Sequence, residues 1–235
     1  MSKILSNRRV SKDFYLMRAE HANGARMGQF YLLRAWKHYP VLSRPVSVFD
    51  ADGATLSFLY KVVGRGTEIF SGLEAGGEIE LRGPLGNPFP DVTGKVAMVG
   101  GGAGVAPFYL AAKQLKAGHP QCRVDAYLGF SDDAFLVDDY RQVADRVLVN
   151  VKGFVTDEIE PAGYDHILTC GPEAMMRALY EKCERAGLAE KLYVSMEKRM
   201  ACGVGACFVC SCKTRDGNKK TCKDGPVFKG TAVFG

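Results

Sequence analysis

The feature that most constrains this chain is a run of thiols near its C-terminal end. Cys202 is followed after four residues by Cys207, after two more by Cys210, and after eleven more by Cys222. With Cys212, five of the eight cysteines crowd this tail, whereas Cys122, Cys170 and Cys183 stand alone. Thiols at such density either pair as disulfides or bind metal. The N-terminus, MSKILSNRRV, has basic residues with no apolar stretch after them, so no secretory signal is expected and a cytoplasmic location is the expectation. Metal or cluster ligation is therefore the better reading. The C-x4-C-x2-C spacing is that of the plant-type [2Fe-2S] run, in which a tight loop turns several thiolates toward one iron-sulfur rhomb. Gly203 and Gly205 suit that loop, because backbone amides must approach the sulfurs at angles a Cβ would obstruct. A structural zinc site is the competing reading, but zinc modules with four cysteine ligands usually pair two short knuckles, and here three ligands share one loop. Cys212 is a fifth candidate. Its spacing, two residues from Cys210, does not fit the run, which leaves Cys222, free to return from a separate loop, as the expected fourth ligand and Cys212 as a small buried thiol nearby.

Upstream, the chain divides by pattern. Residues 1–93 hold short runs such as Gly28–Arg34, Ala54–Val63 and Glu78–Leu81, rich in aromatic and branched side chains and bounded by glycine turns. Several short strands without a convincing amphipathic helix predict an antiparallel β-barrel. Residues 94–194 alternate instead. Lys95–Val99, Arg123–Gly129, Val147–Val151 and His166–Cys170 read as buried strands, and Pro107–Ala117 and Pro172–Ala186 as helices. That alternation predicts an α/β parallel-sheet domain covered on both faces. In residues 195–235 regular periodicity is lost, and a small cluster domain is expected. The fold class is thus α+β and multidomain.

Three motifs upstream of the thiols carry chemistry. Arg44-Pro45-Val46-Ser47 combines a forked donor suited to pyrophosphate, a fixed turn, and a hydroxyl able to bond a flavin edge. A strand with a surface arginine is the bland alternative. The flavin reading gains from Leu59-Tyr60-Lys61, from Gly66-Thr67, and from Gly83-Pro84-Leu85-Gly86. Between a strand and a helix, Gly100–Gly104, with Gly101, Gly102 and Gly104 as candidates, permits close approach of phosphate to a helix N-terminus. It lacks the third glycine of the dinucleotide fingerprint, because Pro107 stands there, and a tight turn would also explain it. Cys170-Gly171-Pro172 marks a later strand end, where ligands of open α/β sheets gather.

Other features read as structural. The histidines, His21, His38, His119 and His166, show no metal-ligand spacing, and Trp36 reads as a barrel-surface aromatic. Asp132-Asp133 can hold a ribose hydroxyl, although paired acids in a loop are more often merely solvated. No Lys or Arg lies beside them in Gly129–Val137, so NADH is expected in preference to NADPH. Net charge is +5, from 31 basic and 26 acidic residues, and it is too diffuse for nucleic-acid binding. No stretch has the roughly 20 apolar residues of a bilayer span.

Barrel, flavin-type motif, nucleotide-type loop, Cys-Gly-Pro and thiol run, in this order, resemble the ferredoxin–NADP reductase superfamily across nearly the full length. Arg44–Ser47, Gly83–Gly86, the stretch Ser195–Cys207 (SMEKRMACGVGAC) and Cys222-x2-Gly225-Pro226-Val227-Phe228 are more specific, and resemble the electron-transfer subunits of dihydroorotate dehydrogenase B. The resemblance implies FAD contacts at Arg44, Pro45, Val46, Ser47, Leu59, Tyr60, Lys61, Gly66 and Thr67, and cluster ligation by Cys202, Cys207, Cys210 and Cys222. It implies residues 1–93 as the FAD domain, 94–194 as the NAD domain and 195–235 as the [2Fe-2S] domain. It further implies electron exchange between NAD(H) and a separate FMN-containing subunit that oxidises dihydroorotate to orotate in pyrimidine biosynthesis, with two copies of each chain in a heterotetramer. A related flavin and iron-sulfur reductase serving another acceptor is the alternative, and a zinc-binding interaction module a more distant one. No catalytic side chain is expected, since hydride transfer requires no acid or base.

Overall fold

The computed structural model describes all residues from Met1 to Gly235. The first strands are β1 (Ser2–Arg9), β2 (Phe14–Glu20), β3 (Phe30–Arg34), β4 (Arg44–Ala51), β5 (Thr55–Lys61) and β6 (Glu78–Leu85), with a short helix α1 (Arg65–Ser71) after β5. The strands close into an antiparallel barrel in the order β1-β2-β5-β4-β3-β6, so β5 leaves its hairpin with β4 on one side and pairs with β2 on the other. Its interior is filled by Ile4, Met17, Tyr31, Leu33, Val48, Leu56, Phe58 and Ile79, with Phe70 of α1 packed among them. Alternate residues of β5, Leu56 and Phe58, point inward, as the two-residue period of a strand dictates. Helix α1 is a departure from the helix-free barrel read in the sequence. With seven residues it is too short to show a periodic face, and Phe70 is what fixes it to the core.

Next come β7 (Lys95–Gly101), α2 (Pro107–Gly118), β8 (Arg123–Phe130), α3 (Val137–Val143), β9 (Arg146–Val151), β10 (His166–Cys170), α4 (Glu173–Arg185) and β11 (Leu192–Ser195). The tail adds a hairpin, β12 (Ser211–Thr214) and β13 (Gly217–Lys220), then β14 (Val227–Lys229) and a single turn α5 (Gly230–Val233). The second sheet runs β14-β11-β10-β7-β8-β9. Five strands are parallel, and β14 closes one edge antiparallel to β11. Sequence reading expected parallel strands alone and no regular structure after Met196. Strands of three or four residues show too little alternation to be read before their partners are known. In β7 the pleat sends Val96 and Met98 to the core beneath α2, and Ala97 and Val99 to the core beneath α4.

Helix α2 also joins the two units. Leu110 reaches the barrel core, Lys113 Nζ lies 2.5 Å from Asp50 Oδ1, and Gln114 accepts the Met27 N–H at 2.8 Å while donating to the Ala25 carbonyl at 3.0 Å. Barrel and sheet are thereby held in fixed relation along a shared groove. No helix is long and apolar enough to cross a membrane.

Candidate functional site

Two clefts lie along that groove. The first, about 900 Å³, is bounded on the barrel side by Leu42–Ser47, Leu59–Lys61, Val63–Arg65 and Thr67, and on the other by Ala103, Ala106 and the strap Ser195–Met200. Arg44, Pro45, Val46, Ser47, Leu59, Tyr60, Lys61 and Thr67 all line it, so the fold gathers these flavin-type residues into one wall, but Gly83–Gly86 lies outside it, with Gly83 against the Tyr31 ring and Gly86 against Pro226 and Phe30. Gly66 sits behind Arg44. Two of these residues are built into the frame. Tyr60 donates its hydroxyl to Asn7 Oδ1 at 3.0 Å, and burial holds its phenol well above the ordinary range. The Thr67 hydroxyl donates to the Gly64 carbonyl at 2.9 Å and accepts the Val63 N–H at 2.9 Å, which shapes the entry to α1. Arg44 makes no ion pair with any carboxylate. An arginine without a counter-ion at the rim of a long cleft suits a bound pyrophosphate, so the residues present fit FAD.

The second cleft, about 840 Å³, opens at the C-terminal ends of the parallel strands. Strands β7 and β10 are neighbours there while their following connections leave to opposite sides, which is the switch point where open α/β sheets bind ligands. Gly101, Gly102 and Gly104 line it, as do Gly171 and Pro172. Cys170 does not. It is fully buried, and its thiol donates to Glu197 Oε1 at 3.9 Å. Burial pushes the Cys170 thiol far up and also raises the Glu197 carboxyl. Asp132 and Asp133 line the cleft as the sequence suggested, but so does Lys152, whose N–H donates to the Phe130 carbonyl at 2.9 Å. The opposite wall comes from the barrel, as Ser11, Lys12, Asp13 and Phe14 of the turn between β1 and β2. Phe14 stands 4.5 Å from the Phe135 ring, joining the two walls. Sequence reading missed Lys12, Phe14, Lys152 and Phe154, which lie in no recognisable motif, and Glu197, which lies in the stretch Ser195–Cys207 but has no site role in that reading. The four histidines line neither cleft. Lys61, Ala103 and Glu197 line both, so the clefts meet at these residues.

The thiol run folds into a loop against strands β3 and β6 of the barrel. Gly203 and Gly205 have φ of 73° and 82°, conformations that admit amides close to sulfur. Val204 and Ala206 donate to Cys202 Sγ at 3.4 and 3.3 Å, Gly205 to Cys222 Sγ at 3.2 Å, and the Cys222 amide to Cys210 Sγ at 3.4 Å. The Val204 amide and then the Cys207 amide and thiol lower the Cys202 thiol to about 6. Burial, reinforced by Cys210, pushes Cys222 up to about 12. Cys207 acts on Cys202, and both Cys210 and Cys202 act on Cys222, so the four thiols neighbour one another. The amide bonds to sulfur are those an iron-sulfur cluster uses. Cys210 and Cys222 pack with Phe30, Leu32 and Met200, a cluster that does not include Cys212. Phe30 and Met200 also line the first cleft.

Comparison with known proteins decides the family. A family pattern described as the iron-sulfur cluster binding domain of dihydroorotate dehydrogenase B matches residues 197–234. The dihydroorotate dehydrogenase B (NAD(+)) electron transfer subunit of Clostridium acetobutylicum is 46% identical over 100% of this chain and 96% of its own length. The chain belongs to that family. The corresponding subunit of Clostridium perfringens is 43% identical over 98% of this chain and 96% of its own. Members of the family are electron-transfer components of an oxidoreductase, and this chain shares that role. Among solved structures, one described as an NADH-dependent reduced ferredoxin-NADP oxidoreductase, studied for flavin-based electron bifurcation, superposes with a TM-score of 0.87 at 29% identity, covering 99% of this chain and 89% of that one. A ferredoxin NADP+ reductase from Neisseria gonorrhoeae with bound FAD and NADP shares the fold at a TM-score of 0.68 and 17% identity, over 82% of this chain and 96% of that one.

Proposed function

We propose that this chain carries electrons between NAD(H) and a separate FMN-containing catalytic subunit, in the overall exchange of dihydroorotate and NAD+ for orotate, NADH and a proton. On this reading FAD occupies the cleft at Arg44, NAD(H) the cleft at Gly101–Gly104, and a [2Fe-2S] cluster the thiols Cys202, Cys207, Cys210 and Cys222. NAD(H) exchanges electrons in pairs as hydride and the cluster exchanges them singly, and FAD supplies the conversion between the two.

The observation that carries the proposal is that the three sites lie in series. Lys61, Ala103 and Glu197 are common to both clefts, so the redox ends of two ligands can meet there. Phe30 and Met200 line the first cleft and pack on Cys210 and Cys222, so one layer of side chains separates it from the thiols. The glycine-rich turn Gly101–Gly104 offers backbone amides to one dinucleotide phosphate, and Arg44 offers its guanidinium to the other. Burial keeps the Cys170 thiol protonated, and it donates to Glu197 behind the meeting point. No side chain there needs to act as an acid or base.

The exposed loop residues Val204 (55%), Phe208 (63%) and Val209 (53%) form an apolar cap beside Cys207. We assign this cap to the catalytic subunit, in an assembly with two copies of each chain in the cytoplasm. The division into residues 1–93, 94–194 and 195–235 follows the three cofactors, with β14 returning from the last unit to the sheet of the second. Purification of the untagged native complex tests the whole reading. It should contain FAD, FMN, and two irons with two acid-labile sulfides per copy of this chain, and should reduce NAD+ with dihydroorotate. Zinc in place of iron, no flavin released from this chain on heating, or a partner without FMN would overturn it.

A further inference from the structure

Arg44 has no counter-ion, yet its guanidinium is closely held. Its Cζ lies 5.4 Å from the centre of the Trp36 ring, and its Nη1 donates to the Leu42 carbonyl. On the side of α1 the guanidinium presses on Gly66, where a Cβ would stand 2.5 Å from Arg44 Nε and 2.8 Å from Cζ. Trp36, the only tryptophan in the chain, is itself fixed from three directions. Its ring stacks on Phe70 of the barrel core at 5.5 Å, and its Nε1–H donates to the Pro40 carbonyl. Arg34, whose Cζ is 5.7 Å from the same ring, donates to the carbonyls of Trp36, Lys37 and Val41 at 2.9, 2.9 and 2.7 Å. Loop 36–42 is thus laced shut around the indole.

An aromatic face attracts a guanidinium through its quadrupole without neutralising it. A carboxylate in the same place would fix Arg44 equally well but would compete with an incoming phosphate for its donors. We infer that Trp36 is the platform that aims Arg44 at the FAD pyrophosphate, an inference that rests on the placement of FAD proposed above. Trp36 touches Arg44 and acts through it, so it is a positioning residue. Its contribution is preorganisation: the guanidinium need not lose its freedom when FAD arrives.

The test is a double-mutant cycle on FAD affinity, measured by titrating the deflavinated full chain with FAD, with the iron-sulfur absorbance as the control for folding. Arg44→Ala should weaken FAD strongly. Trp36→Leu should weaken it by about 5- to 30-fold, the size of one well-formed cation–π contact. Trp36→Phe, which keeps an aromatic face, should recover most of that loss. Trp36→Leu in the Arg44→Ala background should then add little, because the platform has nothing left to aim. Trp36→Leu binding FAD as tightly as the parent, Trp36→Phe as weak as Trp36→Leu, or fully additive losses would each overturn the inference while leaving the FAD placement intact. If Arg44→Ala binds FAD normally, the placement itself fails and the inference with it.

Discussion

Gly104 lies against Cys170 so closely that a Cβ built on it would stand 2.3 Å from the Cys170 carbonyl oxygen. The other nearest atoms are also backbone, the Cys170 carbonyl carbon and the Gly171 Cα, each at 2.5 Å. A flexible side chain can swing away from such a contact, but two strand-end loops can only part. Gly104→Ala should therefore cost on the order of 1–3 kcal/mol as overpacking, seen as a fall in Tm of about 5 °C. NADH affinity should weaken by more than about 10-fold while FAD content is kept. Unchanged NADH binding in a titration would count against the placement of the nucleotide at these loops.

The thiol run sets two cysteines in contrast. Cys222 is 2% exposed, accepts the Gly205 amide and neighbours Cys210, whereas Cys212 lies on β12 opposite Lys219, outside the group around Cys210. Cys222→Ser should bleach the iron-sulfur spectrum and abolish electron exchange with the catalytic subunit. Cys212→Ser should retain both. NADH-to-dye activity through FAD should survive in each, because the hydride step does not pass through the thiols. Loss of the cluster in Cys212→Ser with retention in Cys222→Ser would reverse the assignment.

On the proposed placement of NAD(H), nucleotide choice follows from opposed charges in the second cleft. Asp132 and Asp133 repel a 2′-phosphate, but Lys152 shares their cleft, which the stretch Gly129–Val137 alone does not reveal. NADH is still expected to be preferred, because Asp132 and Asp133 are adjacent while the lysines of the cleft, Lys12, Lys61 and Lys152, come from separate segments. Converting both acids to asparagine should raise the ratio of NADPH to NADH kcat/KM by about 10-fold or more, since two negative charges then no longer repel a 2′-phosphate in a cleft that also holds Lys12 and Lys152. Diaphorase kinetics with each nucleotide measure this, and an unchanged ratio would remove the acids from the ribose site.

The apolar cap supplies a fourth expectation. Phe208 is held at a φ of 59° with Lys220 Nζ 4.9 Å above its ring, an exposed aromatic kept in one place. Phe208→Glu should leave FAD, cluster and NADH-to-dye activity intact and lower co-purification of the catalytic subunit at least about 10-fold, as for a central aromatic anchor. Normal recovery of the complex would move the interface elsewhere.

What was legible in the sequence was whatever a short local pattern encodes. The spacing Cys202-x4-Cys207-x2-Cys210 describes one loop, and Gly100–Gly104 one turn, so each could be read before any partner was known. Lys12, Lys152 and Glu197 could not, because they reach the clefts from three separate segments that only the packing of α2 on the barrel brings together. Trp36 is half-buried against the barrel core, as a barrel-surface aromatic should be, but its contacts with Phe70 and Arg44 belong to no local pattern. The tail hid its strands because β14, three residues long, is a strand only by virtue of β11.

That pairing of β14 with β11 has a mechanical consequence. Ser195, where the chain leaves the sheet, lies directly opposite Val227, where it comes back. The whole thiol-bearing excursion is accordingly clamped at both feet on one rigid surface, and Arg82 of the barrel grips it again at the Cys202 carbonyl at 2.6 Å. A carrier tethered at one end must swing between donor and acceptor, and its turnover then slows as the solvent thickens. A wire fixed at both ends has no such stroke, so turnover here should be indifferent to added viscogen.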